Sequence, residues 1–307
     1  MKKLSEGRKM WLSVMGIFLI YSIIFILFED YDRKWLAPFN EVSDWHLLFF
    51  TIAVLCGLAI LLYHYARQMD QRIQKEQTER QTIMRRELTQ NISHELKTPV
   101  ASILGYMETI LDNPDMEEKT RQQFIKRSHT QAEQLTALLQ DLSTLNRMDY
   151  SAQALDREPT DISQIVKDLI DETNLRLAAK GMTFDNRLPD GITILGNASL
   201  LYGIFRNLTD NAINYAGERT VITLSAIELA DRWMFSFSDN GIGVAEEHLP
   251  RLFERFYRID KGRSRQMGGT GLGLAIVKNA VLLHGGTIFV RNNAGGGLCF
   301  NFGLKKK

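Results

Sequence analysis

Cysteine is almost missing from this chain: two residues, Cys56 and Cys299, among 307. Neither stands in a Cys-x-x-Cys pattern, which excludes a disulfide framework and a zinc knuckle, and both are expected to be small buried hydrophobes. Net charge is missing too. Lys and Arg number 37 against 36 Asp and Glu, leaving +1, so nothing favours direct nucleic-acid binding. The chain has a glycine-rich run, Gly268–Leu274, but no Gly-Lys-Ser/Thr follows it and no βαβ pattern surrounds it. That excludes a Walker loop and a dinucleotide fingerprint.

Two stretches lack Asp, Glu, Lys and Arg altogether: Met10–Phe28, over 19 residues, and Trp45–Ala66, over 22. Each is long enough to cross a hydrocarbon layer about 30 Å thick. The first is too long for the apolar core of a secretory signal and lacks a small-x-small cleavage site. Residues 1–66 are therefore read as a membrane domain with two spans, about 10–28 and 45–66. Lys2, Lys3, Arg8 and Lys9 precede the first span, and Arg67, Arg72 and Lys75 follow the second. The segment between them, Glu29–Asp44, is mostly acidic. Both termini are thus expected in the cytoplasm, with Tyr31, Trp35 and Trp45 near the interface. The loop of about 16 residues is too short to fold as a domain. A stimulus would have to act on the spans, on this loop or through a partner membrane protein.

Residues 67–84 are charged and glutamine-rich and read as a helical linker. Beyond it Met84, Leu88, Ile92 and Leu96 recur every fourth residue, one helical stripe. His94 lies off that stripe and is expected to face water. Glu95 is its neighbour, Thr98 lies one turn on, and Pro99 is expected to bend the helix. Asp112–Asp115 reads as a turn and Asp115 with Glu118 as a capping box. A second helix follows, about Met116–Arg147, whose Leu135, Leu138, Leu142 and Leu145 step 3-4-3. Such a hairpin, residues 85–150, has too little apolar surface to stand alone; a second copy completes a four-helix bundle.

From about Leu155 the pattern changes to an α+β domain, 155–307. Helices are expected over Ile162–Ala179, Ala198–Ala216 and Leu272–Leu283. Strands are expected over Met182–Leu188, Ile192–Leu195, Val221–Leu229, Arg232–Ser238, Thr287–Asn292 and Leu298–Gly303. A polar stretch of some 30 residues, Asp239–Thr270, is too long for a passive loop and reads as a functional lid.

Four segments of this domain carry chemistry. Asn207 and Asn211 fall one turn apart on a helix, and neutral amide oxygens are hard ligands suited to Mg²⁺ that also holds phosphates. Asp239 ends a strand, where a carboxylate can accept the exocyclic amine of adenine, and Gly241 and Gly243 let the backbone come close. Arg255, Arg258, Lys261, Arg263 and Arg265 are interleaved with Phe253, Phe256 and Tyr257, cations anchored by aromatics and free to reach phosphate. Gly268-Gly269-Thr270-Gly271-Leu272-Gly273-Leu274 opens a helix, where amide N–H groups face anions.

Taken as a set, these motifs resemble those of bacterial membrane-bound sensor histidine kinases of two-component systems. Asn91–Pro99 resembles the H box, Asn207–Ala216 the N box and Asp239–Gly243 the first G box. Phe253–Tyr257 resembles the F box and Gly269–Leu274 the second G box, and the likeness covers about residues 85–305. It implies a dimeric hairpin followed by an α+β sandwich of the kind shared by gyrase, Hsp90 and mismatch-repair ATPases (the GHKL type).

The resemblance also implies roles. His94 would accept phosphate from ATP, Glu95 would take its ring proton, and Thr98 would help dephosphorylate the partner. Asn207 and Asn211 would hold Mg²⁺, and Asp239 would read adenine. Tyr215, Gly241, Gly243, Gly269, Thr270, Gly271, Leu272 and Gly273 would line the nucleotide, and Arg255 and Arg258 would contact its phosphates. The implied partners are a second copy and a separate response regulator, with the kinase domains held at the cytoplasmic membrane. The chain departs from many relatives in having Asn214 where they carry a phosphate-binding lysine, and in showing no PAS- or HAMP-like segment before the hairpin. Two other readings are weighed against this one. A nucleotide-binding switch without transfer sits poorly with His94-Glu95, and a free-running ATPase would need a carboxylate where Asn207 stands.

Overall fold

The computed structural model describes Ile23, Leu27 and residues 42–150, 156–259 and 269–306. It divides into two units, residues 1–83 and 84–307. Most of the first expected span and its loop lie outside the described residues, as do Lys261, Arg263, Arg265 and Gly268; Ile23 and Leu27 are helical and exposed. Among the described residues one helical stretch, Ile52–Glu79, is long and apolar enough to cross a membrane. Cys56 is exposed on it and Cys299 is buried in the C-terminal unit, so only Cys299 meets the expectation for a buried hydrophobe. A single helix has no core in which to hide a thiol.

Helix α1 runs Val42–Asp112 and passes through Pro99 without ending. After the turn comes α2, Glu118–Tyr150. It begins two residues later than expected because the Met116 N–H is spent on the Asn113 carbonyl (3.1 Å). The first helical acceptor is then the Glu117 carbonyl, which takes the Arg121 N–H (3.0 Å). The proposed Asp115 cap is thereby displaced.

The C-terminal lobe is built from α3 (Ile162–Ala179), α4 (Ala198–Tyr215), α5 (Gly273–Leu283) and seven strands. These are β1 (Glu158–Asp161), β2 (Thr183–Arg187), β3 (Thr193–Gly196), β4 (Val221–Glu228), β5 (Arg232–Asp239), β6 (Ile288–Asn292) and β7 (Leu298–Lys305). The starts of α3 and α4 are side-chain capped. Asp161 accepts from the Gln164 N–H and Asn197 from the Leu200 N–H, each at 3.1 Å, worth about 1 kcal/mol apiece. Strands β2-β4-β5-β7-β6 form the main sheet, parallel only at β2–β4, and β1 pairs β3 in a small antiparallel ribbon. The sequence pattern did not indicate β1.

Alternation along β5 decides the core. Phe235, Phe237 and Asp239 share one face and are all buried. Phe235 pairs across the sheet with Phe302, and Phe237 with Phe300. The Phe235 and Phe302 rings stack at 5.2 Å, and Phe205 of α4 meets Phe235 edge-on at 5.6 Å. Such pairs add about 0.5–1.5 kcal/mol beyond area burial. The same register carries Asp239 to the inner face at the strand's end.

The hairpin joins this core. Leu138, Leu145 and Met148 of α2 belong to the same buried cluster as the lobe's Phe and Ile side chains. The sequence reading placed Leu138 and Leu145 in the a/d stripe of the hairpin; in the fold both are buried in the cluster that the hairpin shares with the lobe.

His284, at the end of α5, is buried (6 % exposed). Its Nδ1 donates to the Ala280 carbonyl (2.7 Å) while Nε2 accepts the Asn197 N–H (3.1 Å). Burial holds its pKa below 6.5, the Ala280 bond opposing this and nearby Arg157 adding to it. The folded state therefore resists a proton that the unfolded chain accepts below pH 6.5. Stability from this ring is present above 6.5 and declines as pH falls toward the depressed folded value, by up to about 1.4 kcal/mol per pH unit. Amide exchange of residues 193–201 in the full chain, corrected for intrinsic rate, should quicken between pH 7.5 and 5.5. A pH-independent protection would refute the linkage.

Candidate functional site

His94 is exposed on α1, as its position off the Leu88–Ile92–Leu96 stripe requires. It lines an open depression of about 470 Å³ with Lys97, Thr98, Ala101 and Ser102. Thr98 donates its hydroxyl to the His94 carbonyl (3.2 Å), which holds it against the same turn. Glu95 is half-buried, and its carboxylate pairs with the Arg258 guanidinium of the lobe at 3.3 Å. A cleft of about 130 Å³ opens beside this pair, lined by Thr98, Pro99, Gln131 and Gln134 from the hairpin and Gly269 and Thr270 from the lobe.

Asp239 is 7 % exposed. Its Oδ1 accepts the Gly241 N–H (2.9 Å) and the Leu298 N–H (3.4 Å). Burial raises its pKa above 3.8, and the two amide bonds work the other way. Gly241 lies so close to α4 that an added Cβ would sit 2.2 Å from the Ala216 carbonyl oxygen; this glycine is required by backbone packing. Gly243 sits beside the Asn292 side chain, which clamps Val244 at both N–H (3.1 Å) and carbonyl (2.7 Å).

On α4, the Asn207 amide donates to the Gly203 carbonyl (2.8 Å). That bond turns Oδ1 outward, toward Gly273, where an added Cβ would stand 2.6 Å from it. Asn211 follows one turn on, half-buried, and Tyr215 is 37 % exposed near the helix end. Leu272 is fully buried, so only its backbone can meet a ligand. Among the described residues no cluster of three His, Cys, Asp or Glu gathers. A divalent cation here would rest on amide oxygens, a donor set suited to Mg²⁺ only when phosphate oxygens complete it.

The two stems of the polar loop are pinned together. The Phe256 N–H donates to the Gly271 carbonyl (2.8 Å), and Arg258 donates to the Gly269 carbonyl. Phe256 has φ +62°, a left-handed conformation that costs a side-chain residue about 1–3 kcal/mol; packing against the core holds it there. Arg255 reaches Asp149 of α2 (2.9 and 3.0 Å), and Thr270 donates to Asp141 of α2 (2.7 Å).

The structure thus brings together Glu95 with Arg258, Asn207 with Gly273, and Asp239 with Gly241. Sequence reasoning missed Asn292, Asn293 (which donates to the Asp239 carbonyl, 3.0 Å), Asp141 and Asp149. The first two sit in an Asn-Asn-Ala-Gly run that reads only as a turn. The acids read only as a solvated face.

Comparison with known proteins places the hairpin and the lobe in known domain families. Residues 84–151 match the model of the His Kinase A (phospho-acceptor) domain, and 196–307 that of the histidine kinase-, DNA gyrase B- and HSP90-like ATPases. The chain is 33 % identical over 223 residues to the sensor-like histidine kinase SenX3 of Mycolicibacterium smegmatis, covering 72 % of this chain and 57 % of that one. It is 34 % identical over 215 residues to the signal transduction histidine-protein kinase BaeS of Escherichia coli, covering 70 % and 45 %. The chain therefore spans about half the length of the curated relatives it matches. The solved histidine kinase AdeS of Acinetobacter baumannii superposes with a TM-score of 0.57 at 25 % identity, over 70 % of this chain and 98 % of that one. With a phospho-acceptor hairpin and a histidine-kinase-type ATPase lobe on one polypeptide, the chain belongs to the sensor histidine kinases of two-component systems.

Proposed function

We propose that this chain phosphorylates its own His94 from ATP and passes the phosphoryl group to an aspartate of a separate response regulator. The observation that carries the reading is the pairing of the hairpin acid Glu95, next to an exposed His94, with Arg258 of the ATPase lobe at 3.3 Å. It supports the view that the lobe can reach the phospho-acceptor turn. A ring nitrogen of His94 attacks the γ-phosphorus in line as the bond to the β,γ-bridging oxygen breaks. ADP leaves, and the ring proton passes to Glu95. Asp239 accepts the adenine amine, and Asn207 and Asn211 would hold Mg²⁺, which would supply charge neutralisation for the phosphates. With Asn214 in place of a lysine, Arg258 carries more of the phosphate charge. The product P–N bond is labile enough for onward transfer to a carboxylate. In the reverse task, Thr98 orients water at the phosphorylated regulator.

The reading includes a homodimer. Val100, Leu104, Leu111, Ile125 and Leu139 are exposed on the single-chain hairpin, an apolar surface that a four-helix bundle would cover. It also includes two membrane spans, with the hairpin and ATPase lobe in the cytoplasm and the input arriving through the spans or a partner membrane protein. In a phosphotransfer screen, the full chain in membranes is labelled with radioactive ATP and mixed with purified receiver domains. Label should move within seconds to one receiver and to a base-labile acyl linkage. Label that never leaves the chain for any receiver would overturn the transfer step.

A further inference from the structure

One face of α2 seats the lobe: Leu138, Leu145 and Met148. Asp141 lies three residues after Leu138 and four before Leu145, on that same face. Its carboxylate is carried into the contact and accepts the Thr270 hydroxyl at 2.7 Å. Burial raises its pKa, the Thr270 bond and Arg206 oppose this, and Asp210 reinforces it. Thr270 in turn accepts the Leu272 N–H (3.2 Å) at the opening of α5. The residue after Met148, Asp149, takes Arg255. On α1, Glu95 takes Arg258, whose side chain is only 8 % exposed. Three hairpin carboxylates thus hold three donors, all on the stems of the polar loop. Of these, Arg255 and Arg258 are assigned above to the nucleotide phosphates, and Thr270 to the lining of the nucleotide site.

We propose that the hairpin's acids stand in for phosphate on the lobe: Asp141 on Thr270, Asp149 on Arg255 and Glu95 on Arg258, so that seating the lobe on α2 and loading it with nucleotide compete. The proposal rests on the nucleotide site described under the proposed function. Its physical basis is that a carboxylate and a phosphate oxygen ask for the same donors, and a hydroxyl proton serves one acceptor at a time. ATP would therefore release α2 as it binds, and the acids would keep an empty lobe docked. Asp141 and Asp149 lie outside the five motif segments, so removing them tests the competition without altering the nucleotide-facing groups themselves.

The test uses the full chain in lipid nanodiscs, with MgADP as the probe. Asp141→Ala combined with Asp149→Ala should tighten MgADP binding on the order of tenfold, the effect of removing hydrogen bonds to charged groups that the ligand must displace. In the unaltered chain, MgADP should speed amide exchange over residues 136–148. Should the double Ala variant fold poorly by circular dichroism, Asp141→Asn keeps the volume and should tighten binding by a smaller factor. Unchanged or weaker MgADP binding in the variants, or slower exchange of 136–148 on adding MgADP, would overturn the competition. Absence of MgADP binding by the unaltered chain would instead sink the nucleotide site itself.

Discussion

His94→Gln should reduce the acid-labile, base-stable label left by radioactive ATP to background, while nucleotide affinity stays as it was. The reasoning is positional. The His94 side chain is exposed on the hairpin, so the substitution removes a nucleophile and leaves the fold. Glutamine keeps the length and polarity of imidazole but has no nitrogen lone pair of comparable basicity to attack phosphorus. An effect confined to the label, with MgATP still bound, would separate loss of chemistry from loss of substrate. Label persisting in His94→Gln would place the acceptor elsewhere and remove the case for Glu95 as its base.

Asp239→Asn should weaken ATP binding by about two orders of magnitude without harming the fold. Oδ1 of Asp239 is committed to the Gly241 and Leu298 amides, so the group facing a purine is the other carboxylate oxygen. In the Asn variant the carbonyl oxygen is kept by those two N–H donors, and the NH₂ is left facing the exocyclic amine. An accepting charge is exchanged for a donor opposed to a donor, at about 1.5–3 kcal/mol or more. Stability should move the other way. Because burial raises the folded pKa of Asp239, the folded state disfavours its ionised form. The group's favourable contribution is full below pH 3.8 and is lost as pH rises through the raised value. At neutral pH the variant should therefore unfold at an equal or higher temperature than the parent, the difference shrinking on acidification. A variant that bound ATP normally would remove Asp239 from adenine recognition; one that lost binding and unfolded at a lower temperature would show a structural role instead.

Much of the lobe was readable along the chain. Helix Ile162–Ala179 was placed at its observed limits from its helical pattern; the Asp161 cap that fixes its start came with the structure. The β5 strand was readable because Phe235 and Phe237 alternate with polar residues, and that same alternation sends Asp239 inward. Boundaries failed where a local bond intervened: Met116 was lost from α2 to the Asn113 carbonyl, and β1 is a four-residue strand whose partner among the described residues, β3, begins at Thr193, well beyond the next helix. The glycines were legible as motif positions but not in their physical role. Gly241 and Gly273 are small because Ala216 and Asn207 stand against them, neighbours that no spacing rule supplies.

Periodicity, charge-free runs and motif order, all properties of adjacent residues, were enough to establish a chain with membrane-compatible stretches, a histidine-bearing hairpin and a nucleotide-type α+β lobe. What the lobe does with the hairpin was decided only in three dimensions. Leu138 and Leu145 read as part of a bundle stripe, and their burial in a cluster shared with the lobe was not legible, since a helical stripe specifies a side and not its partner. The pairs Glu95–Arg258, Asp141–Thr270 and Asp149–Arg255 join residues more than a hundred positions apart. Ion pairs and hydrogen bonds act over a few ångströms, so which acid meets which donor follows from how the apolar faces close and cannot be read from order along the chain.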